Sequence, residues 1–531
     1  MIHISATRRG FLSRLSQATG AAGLLGLRAA GDQAGPPAGR GFFEVTSFGA
    51  RGDGKTLDTP AINQAIAAAA ATGGGTVVFS AGTYLAYSIR LQSNVGLYLG
   101  HGCTLLAADG TGYDAAESNQ PWENYQDYGH NHWHNSLIWG EQLHDISISG
   151  PGLIWGKGLS KGEGPPPHAE TPGVGNKSIA LKNCRNVTMR DFTILHGGHF
   201  GILATGVDNL TIDNLRIDTN RDGMDIDCCR NVRIARCSVN SPWDDAIVLK
   251  SSYALGFARS TEMVTISDCQ VSGDYEEGTL LDGTFRRFDP NRKDVWHTGR
   301  IKFGTESNGG FKNITISNCA FDGCHGLALE SVDGALLEDV AITNLTMHDI
   351  YDAPFFIRLG SRMRGPAGAA VGAIRRVSIS NVVCSNAESP ICSIITGIPG
   401  HEVEDVRFSN IVIEHHGGGT REQANRPVPE KETAYPEPTM FGPTPAHGFF
   451  VRHARGIEMD GVKIIAANRD ERPAFVLQDV EDAEFSRLRV PSPVGLPVFA
   501  LRDVQNFRLR DVVRLPDTTL DRVEQKEILP E

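Results

Sequence analysis

Three aspartates in two short runs are the residues best placed to do chemistry. The first run reads Asn220-Arg221-Asp222-Gly223-Met224-Asp225, with Asp227 two positions on, and the second reads Trp243-Asp244-Asp245. Four-residue strand motifs begin at Asn186, Asn209 and Asn231. A count of thirteen residues on from each gives His199, Asp222 and Asp244. If the motifs stack as successive turns of one coil, those residues form a column, with Asp245 beside it. Neighbouring parallel strands lie about 4.8 Å apart. Carboxylates held that close repel one another unless one keeps its proton or a cation binds. A purely structural column would use Asn or Val instead. Hydrolysis of a glycosidic bond needs one protonated carboxyl at the leaving oxygen and one ionised carboxyl for the water or sugar. Crowding is a direct way to drive two such pKa values apart. Solvated turn aspartates and a calcium site are the competing readings.

The column requires a repeat, and the chain carries one. Further copies of the motif are Met263-Val264-Thr265-Ile266, Asn313-Ile314-Thr315-Ile316, Asp339-Val340-Ala341-Ile342 and Arg376-Val377-Ser378-Ile379. Weaker copies start at Asp405, Gly456, Asp482 and Asn506, and earlier ones at Asn94 and Asp145. Clean spacings run about 22 to 26 residues, with longer gaps where loops are inserted. Each copy alternates like a half-buried strand, and a lone strand cannot bury its apolar face. Stacking each strand on its counterpart one turn later can. The expected fold is therefore all-β: a single-stranded right-handed parallel β-helix, preferred over a propeller, whose repeats are longer and carry four strands. An Ala-rich stretch from Asp58 to Ala71, with Ile62 and Ile66 on one face, is the expected N-terminal capping helix. Gly73-Gly74-Gly75 ends it, and Thr76-Val77-Val78-Phe79 begins a strand.

Composition narrows the partners. The 531 residues carry a formal net charge of -12. That balance opposes nucleic-acid binding, which wants a basic stripe. It leaves room for a polyanionic sugar bound in a local basic pocket. Residues 1–34 read as an export signal of twin-arginine type, with Arg8-Arg9, a mildly apolar stretch from Ala18 to Leu27, and small residues after it. That stretch is too short for a membrane span, and no other segment is apolar enough for one. The expected location is periplasmic or extracellular. Ten cysteines in so long a chain are not a disulfide scaffold. Cys237, Cys269 and Cys319 recur at one place in the repeat, which favours stacked buried thiols, and Cys228-Cys229 reads as structural.

The paired runs Asn220 to Asp225 and Trp243 to Ser251 resemble the signature of glycoside hydrolase family 28, the polygalacturonases and rhamnogalacturonases. The run Val45 to Lys55, with Gly73 to Val77 and Ala81-Gly82-Thr83-Tyr84, resembles the start of pectin-degrading β-helices. The resemblance spans roughly Phe43 to Leu515, so residues 42–515 are expected to form the catalytic β-helix and 516–531 a tail. It implies an inverting reaction without metal or cofactor, on an acidic oligo- or polysaccharide, by a monomer. On this pattern Asp244 is the acid that protonates the leaving oxygen. Asp222 and Asp245 hold and activate the water, and Asn220 orients them.

Two family motifs are altered. The usual Gly-His-Gly aligns with His297-Thr298-Gly299, and the usual Arg-Ile-Lys aligns with Ala328-Leu329-Glu330. The family's Arg and Lys hold a galacturonate carboxylate; an Ala and a Glu there would not, and Glu330 would repel it. Substitutes lie nearby in Arg300-Ile301-Lys302, then Glu306, in Arg358 and in Lys250, with Lys302 and Arg358 the preferred pair. Alternation puts Arg300 and Lys302 on one strand face. With His199, these complete the expected substrate contacts. A rhamnogalacturonan or substituted galacturonan fits as well as homogalacturonan. Three insertions would wall the groove: the aromatic run Trp122 to His134, the charged loop Tyr275 to Trp296, and the loop Pro427 to Gly448. The readings from other classes are a β-elimination lyase with Ca²⁺ on the aspartates, and a non-catalytic sugar-binding solenoid.

Overall fold

The computed structural model describes residues 41–119, 121–127, 129–162, 171–491 and 493–531. The expected export segment and Tyr128 of the aromatic run lie outside the described residues.

From residue 41 onward the chain winds into a right-handed parallel β-helix in which every turn adds one strand to each of three ladders. The ladder that carries the site contains Lys177–Lys182, Phe200–Thr205, Asp222–Asp227, Ile247–Ser251, Ile301–Ser307, Leu327–Ser331 and Phe355–Leu359, each paired in parallel with the next. The repeated motif forms the second ladder, through Arg185–Arg190, Asp208–Asp213, Arg230–Ala235 and Thr261–Ser267. Short strands such as Thr193–Leu195, Arg216–Asp218 and Ser238–Asn240 form the third. This stacking is a solenoid, not a propeller.

The motif's leading Asn has a physical cause. Asn186, Asn209 and Asn231 adopt φ of 55°, 56° and 55°, the left-handed region that Asn tolerates better than most residues. Their side chains form a ladder of their own: Asn209 Nδ2 donates to Asn186 Oδ1 at 2.8 Å, and Asn231 Nδ2 donates to Asn209 Oδ1 at 2.7 Å. Inside the coil, Val187, Leu210, Val232 and Val264 follow one another in register and are buried. All ten cysteines are buried and unpaired, so no disulfide ties the coils.

Both ends are closed. At the N-terminal end the helix Thr59–Ala71 buries Ile62 and Ile66 against the first coil. Asp58, just before it, accepts hydrogen bonds from the main chain of Arg51 and Gly52 at 2.7 and 3.0 Å. At the C-terminal end the expected tail over residues 516–531 carries regular structure. Thr518–Ile528 is a strand that folds back antiparallel on Phe499–Arg510. Leu520, Val523 and Ile528 pack against the core while the charged residues between them stay exposed. Among the described residues no helix is long and apolar enough to cross a membrane.

Candidate active site

The register of the site ladder places the aspartates and corrects the simple count. Asp222 lies opposite Phe200, not His199, and Met224 lies opposite Ile247. The main-chain N–H of Gly223 donates to Asp245 O at 2.9 Å. Asp245 rather than Asp244 therefore follows Asp222 along the ladder, and the column is offset by one residue. The count ignored that loops of different length join the ladders. Proximity survives the shift: one carboxylate oxygen from each of Asp222, Asp244 and Asp245 lies within 4.8 Å of the others.

The three carboxyls have different surroundings. Asp245 receives Arg300 Nε at 2.9 Å and Lys302 Nζ at 3.4 Å. Burial pushes its pKa up, but Lys302, Arg300 and Lys250 outweigh that and hold it below the usual carboxylate range. Asp222 is buried without such a pair. Burial, then the charges of Asp225 and Asp244, push its carboxyl well above the usual range. Asp244 is the most exposed of the three and pairs with Arg221 at 2.7 Å. Its main-chain oxygen accepts the N–H of Gly299 at 2.9 Å, which ties it to the next coil. One cluster thus holds two carboxyls whose surroundings push their pKa values in opposite directions.

A second buried network backs the first. Lys250 Nζ lies 2.9 Å from Glu306 and 3.7 Å from Asp225. Asp225 also meets His130 Nε2 at 3.2 Å, from the aromatic insertion. Burial raises Glu306, but Lys250, His130 and Arg364 together hold it well below the usual range. His199 stacks on Phe200 with ring centroids 4.3 Å apart, and burial, then Arg221, draw its pKa well down. The main-chain oxygen of Asn220 accepts from Trp243 N at 2.9 Å, joining the two runs, while its Oδ1 has no hydrogen-bond partner among the described residues.

Other expected residues fall elsewhere. His297 stacks on Tyr351 at 4.2 Å and lies 3.2 Å from Asp274, partners outside the triad. Arg358 is buried and faces the long loop: its Nη2 donates to the carbonyls of Glu430 and Lys431, and its Nη1 to Gly397 O. Burial and Arg452 lower its pKa to about 10. Glu330 is buried 3.7 Å from Lys302, and burial pushes it up to about 8.

Sequence reasoning did not single out Tyr435, Glu437 or Arg221. The first two come from the loop Pro427 to Gly448, whose length was the one available signal. Glu437 lies 2.7 Å from Arg300 and 3.4 Å from Lys302. Tyr435 is 49% exposed, with its ring 5.7 Å from Lys302 Nζ. Arg221 pairs with Asp244, Arg300 and Lys302 pair with Asp245, and Lys250 stands behind the cluster, so a divalent ion there would compete with cations already in place.

Comparison with known proteins finds relatives in sequence and in fold. The family described as "Rhamnogalacturonase A/epimerase, pectate lyase-like" matches residues 42–273. A probable polygalacturonase of Vitis vinifera is 23% identical over 403 residues, 70% of this chain and 73% of that protein. A polygalacturonase of Cochliobolus carbonum is 23% identical over 275 residues, 49% of this chain and 66% of that one. Among solved structures, a family 28 exopolygalacturonase of Yersinia enterocolitica superposes with a TM-score of 0.58 at 17% identity, covering 88% of this chain and 78% of its own. The hyperthermoactive exopolygalacturonase of Thermotoga maritima gives 0.52 at 15%, covering 92% and 95%. The chain is a right-handed parallel β-helix, similar in sequence and in fold to polygalacturonases.

Proposed function

We propose that the protein is a glycoside hydrolase that cleaves an acidic pectic polysaccharide. The observation that carries this reading is the triad itself: carboxylate oxygens of Asp222, Asp244 and Asp245 lie within 4.8 Å of one another, Asp245 paired with Arg300 and Lys302 and Asp222 buried. Acid–base hydrolysis needs carboxyls whose surroundings differ in this way. In the proposed reaction Asp244, the carboxyl most open to the groove, gives the proton to the leaving oxygen. Asp222, buried beside it, helps hold the attacking water. Asp245, fixed by Arg300 and Lys302, takes the proton of that water as it attacks, and Asn220 orients it. Facing carboxyls of many inverting enzymes stand about 6.5–9.5 Å apart. Here the water would sit among three close carboxyls instead. We assign inversion at the anomeric carbon, as the resemblance implies, and export through residues 1–34.

Mass spectrometry of products from polygalacturonate and from rhamnogalacturonan tests the reading, beside Asp244→Asn. Water-added fragments that vanish in the variant are expected. Fragments with a double bond would make the protein a lyase, and no fragments from any pectic polymer would remove the enzymatic reading.

A further inference from the structure

Arg300 and Lys302 are the cations that pair with Asp245 of the triad, and other carboxylates of the protein also occupy both. Arg300 touches Asp245, Glu437 and, at 3.6 Å, Asp352. Lys302 touches Asp245, Glu437 and Glu330. Neither cation is more than 2% exposed. Glu437 differs from the other carboxylates around them. It comes from the long loop, one residue before the 3₁₀ turn Pro438–Phe441, and its side chain stays 29% exposed. A single oxygen of Glu437 contacts both cations, at 2.7 and 3.4 Å. With the open ring of Tyr435, Glu437 is what a sugar passing over Lys302 would meet.

We infer that Glu437 is a specificity-determining residue: it fills the cation pair beside Asp245 and thereby selects a neutral sugar over a uronate at the adjoining position of the groove. A uronate placed there finds both cations already paired and a like charge in front of them, whereas a neutral ring can donate hydroxyl hydrogen bonds to Glu437. Tyr435 offers an aromatic face to the same ring. The inference rests on the proposed pectic substrate and refines it: the chain that fits alternates neutral and acidic sugars.

Titration calorimetry in an Asp244→Asn background, where turnover is slowed roughly 10²–10⁴-fold, reads this directly. The probes are trigalacturonate and an oligosaccharide alternating rhamnose and galacturonate. The Asp244→Asn protein is expected to bind the alternating probe at least about tenfold more tightly. Adding Glu437→Gln is expected to erase that preference by tightening trigalacturonate, with salt weakening the gain. Equal affinities in the Asp244→Asn protein, or a preference unmoved by Glu437→Gln, would overturn the inference. Should Glu437→Gln fail to fold, the ratio in the Asp244→Asn protein alone decides. Absence of hydrolysis by the unmodified protein with the ratio intact would refute the proposed reaction and still support Glu437.

Discussion

Arg300 Nε lies 2.9 Å from Asp245 Oδ1, and both side chains are buried although 55 residues separate them in the chain. The contact exists because the strand Ile301–Ser307 sits one turn beyond Ile247–Ser251, with Ile301 opposite Ile247. It gives Asp245 a fixed charge and a fixed direction, and Lys302 adds the second half of the clamp at 3.4 Å.

Lys302→Met removes one of these two cations at little change in volume. Asp245 then ionises at higher pH, so the acidic limb of the kcat/KM profile is expected to move up by about one pH unit or more. Breaking a buried pair costs about 3–5 kcal/mol, so a lower melting temperature is expected as well. An unmoved acidic limb in a folded variant would show that Asp245 does not set it.

Asp244→Asn tests the acid. The side chain is part-exposed and its amide oxygen can still accept from Arg221, so stability should change by less than about 1 kcal/mol. Hydrolysis should fall roughly 10²–10⁴-fold. Release of reducing ends and a thermal melt, measured together, separate loss of chemistry from loss of fold.

Arg358→Met tests the loop. Arg358 ties the carbonyls of Glu430 and Lys431 to the coil from beneath. Its loss leaves those carbonyls unpaired, at about 1–3 kcal/mol for each that stays buried. The loop carries Tyr435 and Glu437, so KM is expected to rise more than kcat falls, and limited proteolysis should cut first between 427 and 448. Unchanged KM with a destabilised coil would make Arg358 a purely structural residue.

The same loop ends on a histidine pair. His415 Nε2 and His447 Nδ1 are 3.0 Å apart and buried, beside the Asp470–Arg472 ion pair at 2.7 Å. Ser389 and the main chain of Gly417 face His415 from the other side. Burial, set against Asp470, lowers His415 to about 4; burial and His415 lower His447 to about 3. Depressed histidine pKa values stabilise the fold above the unfolded value near 6.5. Below it the unfolded chain binds protons that the folded chain refuses, and stability falls until the folded values are reached. The slope is at most about 2.7 kcal/mol per pH unit for two groups. Denaturant titrations from pH 8 to pH 4 should show a shallower loss in His447→Gln than in the unmodified protein. Parallel curves would exclude the pair as the cause.

Much of the architecture was legible because a solenoid repeats its own evidence. The Asn-led motif recurs where the backbone must turn left-handed, and the alternation within it marks the buried side. The Asp222, Asp244 and Asp245 cluster was legible for the same reason. Its exact register was not, because one residue of difference in a connecting loop shifts Asp245 into the place expected of Asp244. Arg358 illustrates a deeper limit. Its strand position was readable, but its partners are carbonyls of a loop more than seventy residues on, and no local pattern reports them. Glu437 reaches Arg300 across 137 positions of sequence. Insertions such as this one carry no repeat, so their contacts follow only from the folded chain.

The antiparallel strand Thr518–Ile528 has a consequence for the fate of whole molecules. A parallel stack ends in a row of unpaired amides and carbonyls, a template on which the next copy can grow. Here the last rung runs the wrong way for such growth, and its outward positions include Asp521, Arg522, Glu524 and Lys526, all charged. A chain cut after Leu515 would bare Phe499–Arg510, whose Phe499 ends a stack of rings that runs inward through Phe475 to Phe449. Such a chain is expected to polymerise end to end into fibres, visible by light scattering and dye binding, while the full-length protein stays dispersed at the same concentration.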